Sequence, residues 1–445
     1  MLDQTSQWYK LQYPECFINE EQRMVQKLFA EFVERNIMPV RHKIDDDLTH
    51  DEIITPILKK LQVDLGCQAD MIPEAYGGNE FLRLGMVASA LKSEQLSRGD
   101  WGINLHTSCT NWGWAPATAA YLFHFSPAAK AWGKAVIEAF APKFVGKELR
   151  VACFNMAESD SACDIENHTN EGKLIRTRAD LRGGEWVING AKQWATNSGI
   201  ADLNCVVCNM DPGLGIEGFA LIYVPEPWPG VSHGRYEVKC GVQADRNTST
   251  YFDNVRVPRE WGLQGPEAWN LFLNNLVSGV AQQSASCVGL LQGAFDVLLE
   301  YTGQRIVGGK EIRQHLSTAM FLGEMASIIS VARAAVLELN HQLDHTDIYG
   351  PRITDSAVAK ARSVQTFIAR TTPELILKGM EFMGSYGYVR DNHYEKYYRD
   401  AAALKLVLGG VQLGYFSICK QFYDLDFSSF GPGKLQRRVG NKQGP

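Results

Sequence analysis

Two periodicities divide the chain. Between Asn19 and Arg98 apolar residues recur every three or four positions. Met24, Leu28, Phe29 and Phe32 mark one amphipathic helix, and Ile54, Ile57, Leu58 and Leu61 mark another. Turn-forming residues in Pro73-Glu-Ala-Tyr-Gly-Gly78 interrupt, and a further helix is expected over Leu82–Leu96. After Arg150 the apolar runs shorten. Leu174–Ala179 and Trp186–Ile188 flank Gly183-Gly184, which predicts a β-hairpin, and strands are expected at Cys205–Cys208, Phe219–Val224 and Thr250–Val257. Past Pro258 helices return. Leu316, Met320, Met325, Ile328, Ile329, Ala332 and Val336 define a long amphipathic helix. Segments over Ala281–Tyr301, Ile353–Leu377 and Ala401–Tyr423 would complete a four-helix bundle.

The expected fold class is α+β, mainly α. It comprises an N-terminal all-α domain over 1–150, a small β-barrel or sheet domain over 151–262, a four-helix bundle over 263–427 and a loose tail over 428–445. No internal repeat is visible.

Composition narrows the class of partner. Hydrophobic residues make up 45% and charged residues 21% of 445, as in ordinary globular proteins, and the formal net charge of −6 disfavours nucleic acid as the main partner. No run approaches the roughly 18 consecutive apolar residues of a membrane helix. The start, Met1-Leu2-Asp3-Gln4-Thr5, has neither basic patch nor apolar run. A cytoplasmic protein without a membrane partner is therefore expected. The ten cysteines are scattered. Cys205-Val-Val-Cys208 would point its thiols to opposite faces of a strand, so no metal is expected there.

The common nucleotide and hydrolase fingerprints are absent. The segments that remain are Met156–Asp164, a small-residue polar loop; Trp194-Ala-Thr-Asn-Ser-Gly199, at a strand end; Arg305 with Gly308-Gly-Lys310; and Gly384-Ser-Tyr-Gly387 with Glu395–Asp400 and Gly409-Gly410. Each alone reads as a turn, a cap or a helix connection as readily as a ligand contact.

Together and in this order they resemble the acyl-CoA dehydrogenase family. The matches are Pro73–Gly78, Trp194-Ala-Thr-Asn197, Phe252-Asp-Asn-Val-Arg-Val-Pro258, Arg305, Gly384-Ser-Tyr-Gly387 and Arg399-Asp-Ala401, and they span roughly residues 20 to 425. The resemblance implies bound FAD, an acyl-CoA thioester substrate, a homotetramer and an electron-transferring flavoprotein as acceptor. It places Trp194 and Thr196 over the flavin ring and along its N5 edge. The Phe154–Ala157 strand, including Met156, would meet the pyrimidine edge, with Ala157 replacing a usual hydroxyl. Arg305 is similar to the arginine that reaches a neighbouring subunit's FAD pyrophosphate, for which its fork of donors is suited. Gly384, Ser385, Gly409, Gly410 and Gln412 fall at other FAD contacts. Gly308 and Leu316 depart from a usual aromatic and a usual glutamine.

The family chemistry takes a proton from the carbon beside the thioester and a hydride from the next carbon, so it needs a carboxylate base and donors to the thioester oxygen. By the resemblance the usual glutamate position falls on Leu408, whose backbone N–H could still donate. A second base position used by some relatives falls on Gly279, and the arginine after it is Val280. Asp100 lies in the region from which relatives acting on cyclic thioesters draw a carboxylate, although an Asp there also suits a helix cap. Asn104, His106 and Cys163 are expected to line the substrate site with Leu408. Glu158 and Asp164 flank the flavin loop in capping or pairing roles. The expectation is thus an FAD-dependent oxidoreductase acting on a cyclic or otherwise unusual acyl-CoA with a displaced base. Desulfination, oxidative cyclisation or monooxygenation of a substrate without CoA, and a catalytically silent subunit, stay open beside it.

Overall fold

The computed structural model describes residues 7–123, 125–161, 163–423 and 427, with the Cys163 side chain outside that description. The expected tail falls outside the described residues. Asn19 and Gln22 form a reciprocal capping box that starts helix Glu20–Phe32. The second predicted helix appears as Ile54–Leu58, continued in wider turns over Lys59–Asp64. The third extends over Phe81–Gly99 and breaks at Gly85, whose φ is 77°. A Cβ on Gly85 would lie 2.7 Å from the Asp344 carboxylate, which accepts the Met86 and Val87 amides at 2.7 and 3.1 Å. Glycine at this position lets a carboxylate of the C-terminal bundle cap an N-terminal helix. Asp100 and Ser126 cap the next two helices, Trp101–Leu122 and Pro127–Phe144.

The middle region is an eight-stranded sheet. Its strands are β1 (Ala152–Asn155), β2 (Arg178–Arg182), β3 (Glu185–Thr196), β4 (Leu203–Asn209), β5 (Phe219–Pro225), β6 (Val231–His233), β7 (Asn247–Pro258) and β8 (Gly262–Gln264). The order is β6-β7-β3-β2-β4-β5-β8, with β1 parallel to β4. Gly183 and Gly184, at φ 61° and 87°, make the two-residue hairpin between β2 and β3; both left-handed residues suit the twist of the flanking strands. Strand β2 starts later than the apolar run suggested, at Arg178. Cys205 and Cys208 of β4 belong to cores on opposite sides of the sheet.

Three long helices, Pro266–Gln304, Leu316–Asp344 and Asp355–Met383, form most of the bundle. The second reaches a mean hydropathy of 1.6 over 18 residues, enough by length and composition to cross a membrane, yet Phe321, Met325, Ile329 and Val336 pack it into the bundle core. The fourth arm differs from the continuous helix expected over Ala401–Tyr423. It consists of Tyr394–Ala402 and Gly410–Cys419, joined through a short 3-10 turn and a break. Leu408, Gly409 and Gly410 have φ values of 53°, 75° and 64°, and three successive left-handed residues cannot continue a right-handed helix. The apolar period runs through the break, so periodicity alone conceals it.

Candidate active site

Two irregularities face the chemistry expected of the chain. The first is the end of β3. A register shift between Gln193 and Ala195 sets Trp194 at φ 57° and turns its indole outward, 61% exposed. The Trp194 carbonyl accepts from Asn247 Nδ2 at 2.9 Å, which holds the bulge against β7. The Thr196 hydroxyl donates to Asp245 Oδ2 at 3.1 Å. Asn197, at φ 69°, fixes the strand end by donating to the carbonyls of His106 and Ala152 at 3.1 and 2.9 Å. An exposed aromatic face beside a hydroxyl, on a backbone clamped by its neighbours, is a fitting seat for a flat ring system.

Met156 and Ala157 sit beside this strand. The Met156 carbonyl accepts Lys192 Nζ at 2.8 Å, and the Ala157 carbonyl accepts the Gln193 N–H at 2.9 Å. The side chain of Phe154 is buried against Trp112 and Phe272, so Phe154 itself offers a ring only its main chain.

The second irregularity is the turn Leu408–Gly410. The Leu408 carbonyl accepts from Arg362 Nη1, and the same nitrogen donates to Gln365 Oε1 at 2.9 Å. Gln365 Nε2 donates on to Gln283 Oε1 at 2.6 Å, and Gln283 Nε2 to the Leu404 carbonyl at 3.2 Å. A buried polar chain across the bundle therefore holds the turn. Gln412 is exposed just beyond it. Arg305 is exposed, with its guanidinium 5.5 Å from the centre of the Tyr386 ring. Gly384 and Ser385 border a shallow cavity of about 420 Å³ with Met380 and Tyr388.

Two of the residues expected at the substrate site, His106 and Asn104, are hydrogen-bonded into the surrounding packing. His106 Nδ1 lies 2.6 Å from Asn197 Oδ1 and Nε2 lies 2.6 Å from the Ala244 carbonyl; burial pulls its pKa down to about 4 against these two acceptors. Asn104 donates to Ser97 and Ser286 at 3.0 and 3.1 Å inside the helix packing. Cys163 begins the 3-10 turn Cys163–Glu166. Glu158 receives Lys192 Nζ at 2.7 Å and the Arg176 and Thr177 amides at 2.7 and 3.0 Å. Burial alone would raise its pKa, but Lys192 and these donors hold it below the ordinary value. Asp164 is exposed.

Asp100 is 0% exposed, caps the Ile103 amide at 3.0 Å and lies 2.9 Å from Lys396 Nζ. Lys396 also meets Asp45 and Asp400 at 2.9 Å each. The geometry gives Asp100 a capping and ion-pairing job. At the alternative base position, a Cβ on Gly279 would stand 3.0 Å from the Trp112 indole, so the space for an acidic side chain is filled. Val280 is buried in the bundle core.

Two acids escape the sequence pattern. Asp245 is buried, and burial lifts its pKa to about 6 despite Lys239, Asn247 and Thr196. Folded protein thus takes up this proton between its ordinary value of 3.8 and about 6, and above 6 it carries a buried charge. Asp245→Asn should therefore leave stability nearly unchanged near pH 4 and raise it by about 3 kcal/mol at pH 8. Urea midpoints at both pH values check this, and equal shifts at both would refute it. The second acid is Glu166, in the turn that Cys163 begins. It is 5% exposed, and burial lifts its pKa to about 7 although Arg362 pulls the other way. No signal in the local sequence marks either acid, because each becomes distinctive only through burial against distant segments.

The comparisons with known proteins cover most of the chain. Residues 19–121, 153–255 and 268–412 match the acyl-CoA dehydrogenase N-terminal, middle and C-terminal domains. Cyclohex-1-ene-1-carbonyl-CoA dehydrogenase of Geobacter metallireducens is 27% identical over 399 residues, covering 89% of this chain and 96% of that protein. Cyclohexane-1-carbonyl-CoA dehydrogenase of Syntrophus aciditrophicus is 24% identical over 399 residues, covering 88% and 94%. Among solved structures, butyryl-CoA dehydrogenase from Megasphaera elsdenii shares the fold with a TM-score of 0.78 at 21% identity, over 91% of this chain and 98% of that one.

Proposed function

The chain belongs to the acyl-CoA dehydrogenase family of FAD-dependent oxidoreductases that act on acyl-CoA thioesters, and we propose that within it this protein desaturates the thioester of a compact, ring-bearing acid with a base carried away from the 408 turn. The observation behind this reading is the leucine at residue 408. Its turn is anchored by Arg362, yet it carries no proton acceptor, and the Gly279 alternative is occupied by Trp112. The relatives named for cyclohexane and cyclohexene thioesters support a ring in the substrate.

The residues present fit the cofactor. Trp194 offers an exposed face for the ring, Thr196 a hydroxyl along its edge, and the Met156–Ala157 backbone the flank. When bound, FAD accepts the hydride that leaves the β-carbon. The amide of Leu408 holds the thioester oxygen and so favours charge developing there, because a main-chain donor survives any side-chain change. Arg305 would meet the pyrophosphate of a second copy's cofactor. Leu316, Met320 and Val331 are exposed along one bundle helix, and Ile306 and Val307 lie exposed before it. An apolar face of this kind supports assembly with further copies, read here as a homotetramer. A cytoplasmic protein passing electrons to an electron-transferring flavoprotein completes the proposal.

Anaerobic mixing of FAD-loaded protein with CoA thioesters tests it. Ring-bearing thioesters should bleach the visible flavin band, and linear ones of similar size should do so at least tenfold more slowly. No bleaching by any thioester would sink the reading, and reductase-driven oxygen consumption with a hydroxylated product would replace it with a monooxygenase. Leu408→Glu should raise the rate with linear thioesters by roughly 10²-fold, the usual worth of a positioned base. An unchanged rate would mean that pocket shape, rather than the missing carboxylate, excludes linear chains.

A further inference from the structure

Among the carboxylates of the described residues near the 408 turn, Glu166 has distinctive geometry. It lies on the middle domain, while the turn belongs to the bundle. A Cβ placed on Gly409 would be 2.9 Å from Glu166 Oε2, so the carboxylate lies directly against the residue following Leu408. That oxygen is buried and has no hydrogen-bond partner among the described residues. An unpartnered buried carboxylate oxygen is costly, and such groups persist where a site uses them. Asp100 is engaged by Lys396, and Glu158 by Lys192 and two amides. Asp245 also has one buried oxygen without a partner among the described residues, its other oxygen accepting the Thr196 hydroxyl. It is Glu166, however, whose carboxylate lies against the 408 turn.

Resting on the reading above, we propose that Glu166 is the catalytic base, supplying from the middle domain, against Gly409, the carboxylate that residue 408 lacks. Its carboxylate takes the proton from the α-carbon as that C–H bond breaks. The freed pair forms the α–β double bond while hydrogen leaves the β-carbon with its bonding electrons for the oxidised cofactor. The product is an α,β-unsaturated thioester, with Glu166 protonated and one two-electron reduction accounted for. Glycine at 409 is the counterpart of this arrangement. Its left-handed φ of 75° and missing Cβ leave room that the Leu413 side chain and the Glu166 carboxylate share.

The surroundings suit a group that must switch near neutrality. Burial raises Glu166 to about 7, and Arg362, on the helix behind the turn, is the opposing charge. His168, two residues on, is buried beside Asp355 at 3.1 Å, and Lys420 meets the other oxygen of Asp355 at 2.9 Å. Asp164, on the same turn, faces solvent. A base with a pKa close to ambient pH combines a large ionised fraction with real basicity.

Glu166→Gln and Glu166→Asp in the FAD-loaded protein provide the test, with anaerobic bleaching and α-hydrogen exchange of the thioester in D2O as readouts. The glutamine variant should keep its bound FAD and its thioester affinity within threefold. It should lose at least 10³-fold in bleaching rate and lose α-exchange, whereas aspartate should retain a measurable part of both. The wild-type rate should rise with pH about a midpoint near 7, and that limb should vanish in Glu166→Gln. Without cofactor or substrate, the glutamine variant should also gain a few degrees in melting temperature over wild type as pH rises from 5 to 8. The sign follows because the folded wild type must charge a buried carboxyl over that range. A glutamine variant within tenfold of wild type overturns the assignment and leaves the desaturation standing. A wild type that no thioester bleaches, and that exchanges no α-hydrogen, overturns both.

Discussion

Lys396→Met should remove a large share of the stability of the fold. The Lys396 ammonium is buried and lies 2.9 Å from each of Asp45, Asp100 and Asp400, which join three separate stretches of chain. Burial opposes its charge, but the three carboxylates outweigh it and raise its pKa well above the ordinary lysine value. Arg399 also reaches Asp45, at 2.5 Å, and the Val242 amide donates to Asp400 at 2.6 Å, so the cluster ties the N-terminal helices and the middle domain to the bundle. Removing the central cation leaves buried carboxylates uncompensated, a loss of about 3–5 kcal/mol against a typical total of about 5–15. The expected result is little soluble protein, or a melting temperature many degrees lower. The deficit should shrink as pH falls toward 5, because carboxylates deprived of the ammonium take up protons and so discharge. A deficit of the same size from pH 5 to pH 8 would show that Lys396 acts by packing alone. Asp100→Asn is the milder companion. It keeps an acceptor for the Ile103 amide, so turnover should persist within tenfold at a moderate cost in stability. Loss of turnover with folding intact would return Asp100 to the list of bases.

The ion cluster also shows what could be read from sequence. Period-2 and period-3.6 patterns are local, and they placed the hairpin at Gly183-Gly184, the strands around Cys205 and Phe219 and the long helices. Motif order placed Trp194, Thr196 and the 408 turn. The break at Leu408–Gly410 was hidden because apolar spacing continues through it, although two consecutive glycines after a leucine carried the signal. His106 and Asn104 read as polar residues on an apolar helix, and only the partners that packing brings to them show that they are struts. Glu166 carries the weakest signal of all. In the sequence it is one acid in a polar loop of several, and its meaning depends on the glycine that the bundle brings to its carboxylate.

Arg362→Met follows from that juxtaposition. Arg362 is buried, donates to the Leu408 carbonyl and to Gln365 Oε1, and is the charge that lowers Glu166 against its burial. An opposite charge at close range shifts a carboxyl by roughly 1–3 pKa units. Without the guanidinium, Glu166 should move up from about 7, so that its ionised, proton-accepting form appears only at higher pH. The acid limb of the bleaching rate should therefore shift upward by at least about one pH unit, with a tenfold or greater loss at pH 7 and recovery toward pH 9. His168 responds to the same substitution, because Arg362 is one of the charges that, with burial, holds it at about 4. The double variant Arg362→Met with Glu166→Gln separates the two groups. A limb that survives in it belongs to His168, and a limb that disappears belongs to Glu166. If the single variant keeps its midpoint while losing rate evenly across pH, Arg362 serves only to hold the turn. The charge coupling between the bundle and the middle-domain acid would then be refuted.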